Sequence, residues 1–230
     1  MTKRHEALLL DLDGTLLDTA PDMGGALNRL RAEYGLAPLP AQSIRSVVSH
    51  GAVRLVALGF PEATGDEFER LRLRFLDLYA ERLAVGTCLF PGFEAVLATL
   101  EARATPWGIV TNKPGWLTDP LLEALGLGRR AACAISGDTL AQRKPHPLPL
   151  LHAAGLIGIA AERCLYVGDA ERDIQAGRAA GMTTVVAGYG YLSTDDDPHQ
   201  WQPDGIVASP GDLLSWIDSD PLPATGRPPG

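Results

Sequence analysis

Ala7-Leu8-Leu9-Leu10-Asp11-Leu12-Asp13-Gly14-Thr15 is the stretch that decides how this chain is read. Four unbroken apolar residues ahead of a glycine turn suit a strand buried on both faces. The two acids stand at i and i+2 on the strand's exit, so their side chains point the same way. Gly14 lets the chain turn sharply. Converging carboxylates repel unless one is protonated or a cation lies between them. Magnesium meets that need, since it takes a few carboxylates together with phosphate oxygens. Taken alone, the stretch also fits a capped turn before a helix, with both acids solvated.

Similar apolar runs recur at Trp107–Val110, 131–135, 164–167 and Thr183–Ala187, with helix-length stretches at 116–125, 148–154 and 171–180 between the later ones. Strand then helix, repeated, predicts an α/β fold with a Rossmann-like parallel sheet covered on both faces. Chemistry in such sheets gathers at the carboxyl ends of the strands, and Asp11, Thr111 and Asp169 stand there. Residues 17–84 read differently. Phe68, Leu71, Phe75, Leu78 and Tyr79 recur at helical spacing with charged residues between them. No good strand interrupts this region, which predicts a helical insert after the first strand, the sheet resuming near Leu89. The expected organisation is a core of residues 1–16 and 85–217, a helical insert over 17–84, and a Pro- and Gly-rich tail over 218–230 that is predicted to be disordered.

Composition narrows the function. The chain has 230 residues, 46% hydrophobic and 21% charged, which is ordinary for a globular protein. Twenty basic against 28 acidic residues leave a net charge of −8, which argues against nucleic acid as a partner. An anionic substrate would need local positive charge. Three cysteines, Cys88, Cys133 and Cys164, include no CxxC pair, so neither a zinc site nor a disulfide framework is expected, and a cytoplasmic location is. The apolar start ends at Asp11, too short for a signal peptide, and no apolar run of about 18 residues predicts a membrane span.

Three more segments carry chemistry. In Val167-Gly168-Asp169-Ala170-Glu171-Arg172-Asp173, Asp169 and Asp173 share a face if a helix starts there. Acids in a first helical turn also favour the helix dipole without any ligand. In Val110-Thr111-Asn112-Lys113-Pro114, a hydroxyl and free N–H groups before a helix suit phosphate oxygens, or serve as an N-cap. In Arg143-Lys144-Pro145-His146-Pro147, one base is suited to cancelling phosphate charge from a stiff loop, or the loop is merely solvated.

The four segments match a family in order and spacing. Asp11-Leu12-Asp13-Gly14-Thr15, then Thr111, then Lys144-Pro145, then Gly168-Asp169 with Asp173, resemble the haloacid dehalogenase-like phosphatases over nearly the whole chain. The insert resembles that family's small helical type 1 cap. Within the family, the softer likeness is to phosphoglycolate and N-acetylmuramic acid 6-phosphate phosphatase types. It rests on Asp18-Thr19-Ala20-Pro21-Asp22, Ser49-His50-Gly51-Ala52, 107–114 and Gly188-Tyr189-Gly190-Tyr191.

The resemblance implies a phosphatase that hydrolyses a small phosphorylated metabolite through an aspartyl-phosphate. Asp11 would be the nucleophile and Asp13 the acid and base. Mg²⁺ would be held by Asp11, the Asp13 carbonyl and Asp169, with Asp173 mainly orienting ligands or Lys144. Thr111, Asn112 and Gly14 would line the phosphate site, with Lys144 neutralising charge. His50, Gly51 and Arg54 of the cap would face substrate. A monomer or homodimer is equally compatible. Two other readings share the residues: a receiver-type signalling domain, which needs neither the second acid nor the insert, and a sugar phosphomutase.

Overall fold

A computed structural model describes residues 5–193 and 196–217. The expected tail at 218–230 lies outside the described residues. The elements run in chain order as β1 (Ala7–Leu10), β2 (Leu17–Asp18), α1 (Ala20–Glu33), α2 (Ala41–Arg45), α3 (Gly51–Gly59), α4 (Gly65–Ala80), β3 (Cys88–Leu89), α5 (Phe93–Ala102), β4 (Trp107–Val110), α6 (Gly115–Ala124), β5 (Cys133–Ile135), α7 (Leu148–Ile157), β6 (Cys164–Gly168), α8 (Glu171–Ala179), β7 (Thr183–Ala187) and β8 (Gly205–Val207). Six strands form one sheet in the order β5-β4-β1-β6-β7-β8, and every neighbouring pair is parallel.

Residue alternation explains why this sheet needs helices on both faces. Leu8 and Leu10 of β1, with Leu165 and Val167 of β6, enter one apolar cluster that Phe93, Leu97, Leu117 and Leu121 complete. Ala7 and Leu9, with Cys164 and Tyr166, enter a second cluster under Leu150, Ala153 and Ala176. The first strand is fully buried along its length, as its unbroken apolar run requires.

Register places the site. Leu10 stands opposite Ile109 on one side and Val167 on the other, so the strand ends at Asp11, Thr111 and Asp169 reach one edge together. Helices α1 to α4 pack mainly on one another, with α4 against both α1 and α3. Phe75, Leu78 and Tyr79 of α4 are buried, as their spacing predicted.

The structure corrects four expectations. The sheet does not resume at Leu89: Cys88–Leu89 pairs antiparallel with Leu17–Asp18 in a separate two-stranded ribbon. That ribbon also puts a short strand at the start of a region read as strand-free. Its two links are tied by Asp22, which accepts from the Gly86 and Thr87 N–H groups (2.8 Å each) and the Thr87 hydroxyl (2.7 Å). The third correction is an added strand. β8 extends the sheet, and Asp204 secures it by accepting the Thr184 N–H (2.8 Å) and donating its own to the Thr184 carbonyl (2.9 Å). The strand expected over 131–135 begins two residues later, at Cys133. No helix of the described residues is long and apolar enough to cross a membrane.

Candidate active site

β1 delivers Asp11 into a buried position, 3% exposed. Its N–H donates to the Val167 carbonyl (2.9 Å), so the neighbouring strand fixes where the side chain starts. The turn that follows needs glycine. Gly14 has φ +85°, and a Cβ there would overlap Asp169 Oδ2 and the Tyr191 ring.

Lys144 is the cation facing Asp11. Its ammonium lies 2.8 Å from Asp11 Oδ1, 2.7 Å from Asp173 Oδ1, and 2.8 Å from both the Val110 carbonyl and the Tyr166 hydroxyl. Of the three side chains Arg143, Lys144 and His146, only Lys144 is buried. Asn112 holds the loop in place: its amide donates to the Lys144 carbonyl (2.9 Å) and accepts the Lys144 N–H (3.0 Å). A buried ammonium without such partners would be costly.

Asp173, on the first turn of α8, is fully buried. Its Oδ1 faces Lys144 and the Tyr166 hydroxyl (3.2 Å), and its Oδ2 accepts the Ala170 N–H (3.1 Å). Gly168 makes room, since a Cβ there would overlap the Asp173 side chain. Asp169 Oδ2 accepts the Tyr191 N–H (3.0 Å) and the Ser49 hydroxyl (2.5 Å). Asp169 Oδ1 is buried with no hydrogen-bond partner.

Asp11, Asp169 and Asp173 offer ligand atoms that all lie within 4.8 Å of one another. Burial raises the Asp169 carboxyl to about 7, and repulsion from Asp11 and Asp173 adds to the rise. Burial also pushes Asp11 up, against the pull of Lys144. An orphaned buried oxygen and strained acids are what a divalent cation relieves, so the donor set fits one.

Thr111, 4% exposed, ends β4. Its hydroxyl accepts the Lys113 N–H (3.2 Å). Asp13 lies one step out from Asp11, and its carboxylate faces the Lys113 ammonium.

The cap residues divide. A cavity of about 230 Å³ is lined by Ser49, His50, Asp169, Arg172, Tyr191 and Asp196 among others. His50 sits at its exposed rim, and partial burial with the Arg172 and Arg54 charges pulls its imidazole below the ordinary range. Gly51 begins α3 with φ +72°. Arg54 is exposed and does not line the cavity.

Five residues at the site carry no role in the sequence alone: Ser49, Lys113, Tyr166, Arg172 and Tyr191. Arg172 donates to the Ser49 carbonyl, so α8 grips the segment that Ser49 uses to reach Asp169. Tyr166 sits among apolar strand residues and reads as core. Lys113 and Arg172 lie inside motifs that were recognised by their neighbours.

The haloacid dehalogenase-like hydrolase family model matches residues 8–187. A phosphoglycolate phosphatase of Xanthomonas campestris pv. campestris is 49% identical over 207 residues, covering 90% of this chain and 94% of that protein. An N-acetylmuramic acid 6-phosphate phosphatase of Pseudomonas aeruginosa is 41% identical over 216 residues, covering 94% and 96%. A crystal structure from Haemophilus somnus, named a predicted phosphoglycolate phosphatase, superposes with a TM-score of 0.81 at 29% identity, covering 92% and 97%. With strand-end acids, buried lysine and helical insert in the family's order, the chain belongs to the haloacid dehalogenase-like hydrolases.

Proposed function

We propose that the protein removes phosphate from a small metabolite, a phosphoglycolate phosphatase-like reaction, through an aspartyl-phosphate on Asp11. It is a phosphoric monoester hydrolase by family and by its named relatives. The observation that carries the mechanistic reading is Asp11 held beside Lys144 within a buried three-carboxylate cluster.

Asp11 attacks phosphorus, and the ester oxygen leaves with a proton from Asp13, splitting one hard step into two. Asp13, then a carboxylate, takes a proton from the water that hydrolyses the aspartyl-phosphate, and Asp11 is regenerated. Thr111 and the Asn112 N–H bind the transferring oxygens, and Gly14, in the turn between the two acids and Thr15, lets Asp169 close against that turn. Lys144 aims Asp11 and offsets the charge that develops. Asp173 holds Lys144 and serves as an orienting group, since both its oxygens are engaged.

Asp11, the Asp13 carbonyl and Asp169 would hold Mg²⁺, which supplies charge neutralisation at the phosphoryl oxygens. Residues 17–84, with helices α1–α4, serve as a cap whose closure excludes water, with His50 at the mouth and Gly51 next to it at the start of α3. Two substrates compete: phosphoglycolate and N-acetylmuramic acid 6-phosphate, each named by a relative. A panel of phosphorylated metabolites with both esters side by side decides. About a hundredfold preference in kcat/KM assigns the substrate, and sugar phosphate isomerised without phosphate release would make the protein a mutase instead.

A further inference from the structure

Each of the two motif acids has its own lysine. Lys144 faces Asp11, and Lys113 faces Asp13. The first pair belongs to the mechanism above; the second has no role in it.

The Lys113 ammonium donates to both Asp13 oxygens, at 3.0 and 3.1 Å. A single donor reaching both oxygens fixes the plane of a carboxylate as well as its place. Lys113 is itself held at both ends. Its N–H donates to the Thr111 hydroxyl (3.2 Å), and its carbonyl accepts the Gly137 N–H (2.8 Å) and the Thr118 hydroxyl (3.3 Å). Its ammonium lies 4.7 Å from the centre of the Tyr79 ring, on helix α4 of the insert. Tyr79 is 1% exposed and its hydroxyl has no partner within hydrogen-bond geometry. Cation–π contact strengthens when it is shielded from water, as it is here.

Burial alone would push the Lys113 ammonium down. The Asp13 charge, and then Tyr79, outweigh that and hold it above the ordinary lysine range. The Asp13 side chain keeps 16% of its exposure, while that of Lys113 keeps 4%. So the lysine is the fixed partner and the acid is the one that meets the solvent side.

We propose that Lys113 is the positioning residue for Asp13: clamped between the Thr111 loop and the Tyr79 ring of the cap, it aims the carboxylate at the departing ester oxygen. The inference rests on Asp13 serving as the acid. It also makes α4 part of the acid's support, so that the insert contributes to chemistry as well as to enclosure.

The test uses leaving groups of different need. An alkyl ester such as 2-phosphoglycolate requires a proton on its departing oxygen, whereas p-nitrophenyl phosphate does not. kcat/KM reports only steps through phosphoryl transfer to Asp11, so the later hydrolysis does not blur it. Lys113→Met should lower kcat/KM for the alkyl ester about 100-fold and for p-nitrophenyl phosphate about fivefold or less. Lys113→Arg, which keeps charge and donors, should recover about tenfold or more of the alkyl loss. Parallel losses on both esters, or an arginine variant as poor as methionine, would overturn the proposal. Should Lys113→Met not fold, as judged by circular dichroism, Lys113→Gln carries the same comparison. Asp13→Asn is measured beside it. If Asp13→Asn shows no leaving-group discrimination, the acid role itself fails; if it does and Lys113 variants do not, only the positioning role fails.

Discussion

The strand ends of β1, β4 and β6 and the helices of the insert build the site in opposite ways. The strand ends bring their groups by register: once Leu10 pairs with Ile109 and Val167, the places of Asp11, Thr111 and Asp169 follow from backbone hydrogen bonds. The insert brings Ser49, His50 and Tyr79 by packing, through helices whose own cores are Leu27, Phe75 and Leu78. Register leaves little freedom, because a one-residue slip would turn every side chain to the other face. Packing against a separate bundle leaves the approach adjustable. On the proposed mechanism, bond-making falls to the strand ends and substrate choice mainly to the insert, whose Tyr79 alone reaches toward the acid through Lys113.

The largest expected effect is at the strand end. Asp11→Asn keeps the shape and removes the nucleophile, so phosphate release should fall by about 10⁴-fold or more while the thermal transition stays two-state. Substantial residual turnover would break the division at its root. Next is the metal-linked effect on stability. Asp169 has its carboxyl raised to about 7, chiefly by burial. A raised acid binds its proton more tightly when folded than unfolded, so its contribution to stability falls as pH rises from about 4 through about 7. A cation that binds only the ionised cluster opposes this. Mg²⁺ at about 100 times its Kd should add about 2.7 kcal/mol, raising Tm by several degrees. That rise should be larger at about pH 8 than at about pH 5.5, and Asp169→Asn should remove most of it. An Mg²⁺ effect on Tm that is the same at both pH values would place the ion elsewhere.

These contrasts also explain what was legible in the residues alone. Asp11, Asp13, Thr111, Asp169 and Asp173 stand in short patterns next to apolar runs and Lys144 in a Pro-flanked basic loop; each alone also fits a capped turn or a solvated loop, and their order along the chain is what matches the family. A lysine in a loop after a strand reads as solvated; Lys113 is buried instead, against Asp13 and with the Tyr79 ring 4.7 Å from its ammonium. Tyr79 itself reads as one more apolar position on an amphipathic helix. Ser49 sits in a three-residue turn, Val48–His50, with no periodicity to mark it. β8 escaped for a different reason: it has three residues, and Ile206 is 38% exposed, so no buried run announces it. The Leu17–Asp18 and Cys88–Leu89 ribbon is too short for any periodicity, and its pairing partner is distant in the chain.

A middle-sized effect sharpens the comparison at the contact between the regions. Ser49 donates to Asp169 across the boundary (2.5 Å), and Arg172 returns a bond to the Ser49 carbonyl. A hydrogen bond to a charged group contributes about 1.5–3 kcal/mol. If the insert acts through substrate enclosure, Ser49→Ala should raise KM about tenfold and leave kcat within about threefold. A kcat loss on the scale of Asp11→Asn would move Ser49 into the bond-making machinery and erase the division.

The smallest effect concerns Arg54, which the resemblance placed over the substrate. In the structure it is exposed on α3, outside the cavity that His50 and Ser49 line, and acts on the site only as a charge near His50. An exposed charge at that remove is screened by water and salt, with a Debye length of about 8 Å at physiological ionic strength. Arg54→Ala should therefore change KM by about twofold or less, whereas His50→Ala, at the rim, should change it more. The ordering of the two is the informative result. KM unmoved by either variant would leave the helices a lid without recognition. A larger shift at Arg54 than at His50 would mean that substrate draws α3 inward, so that the cap chooses its ester by closing on it.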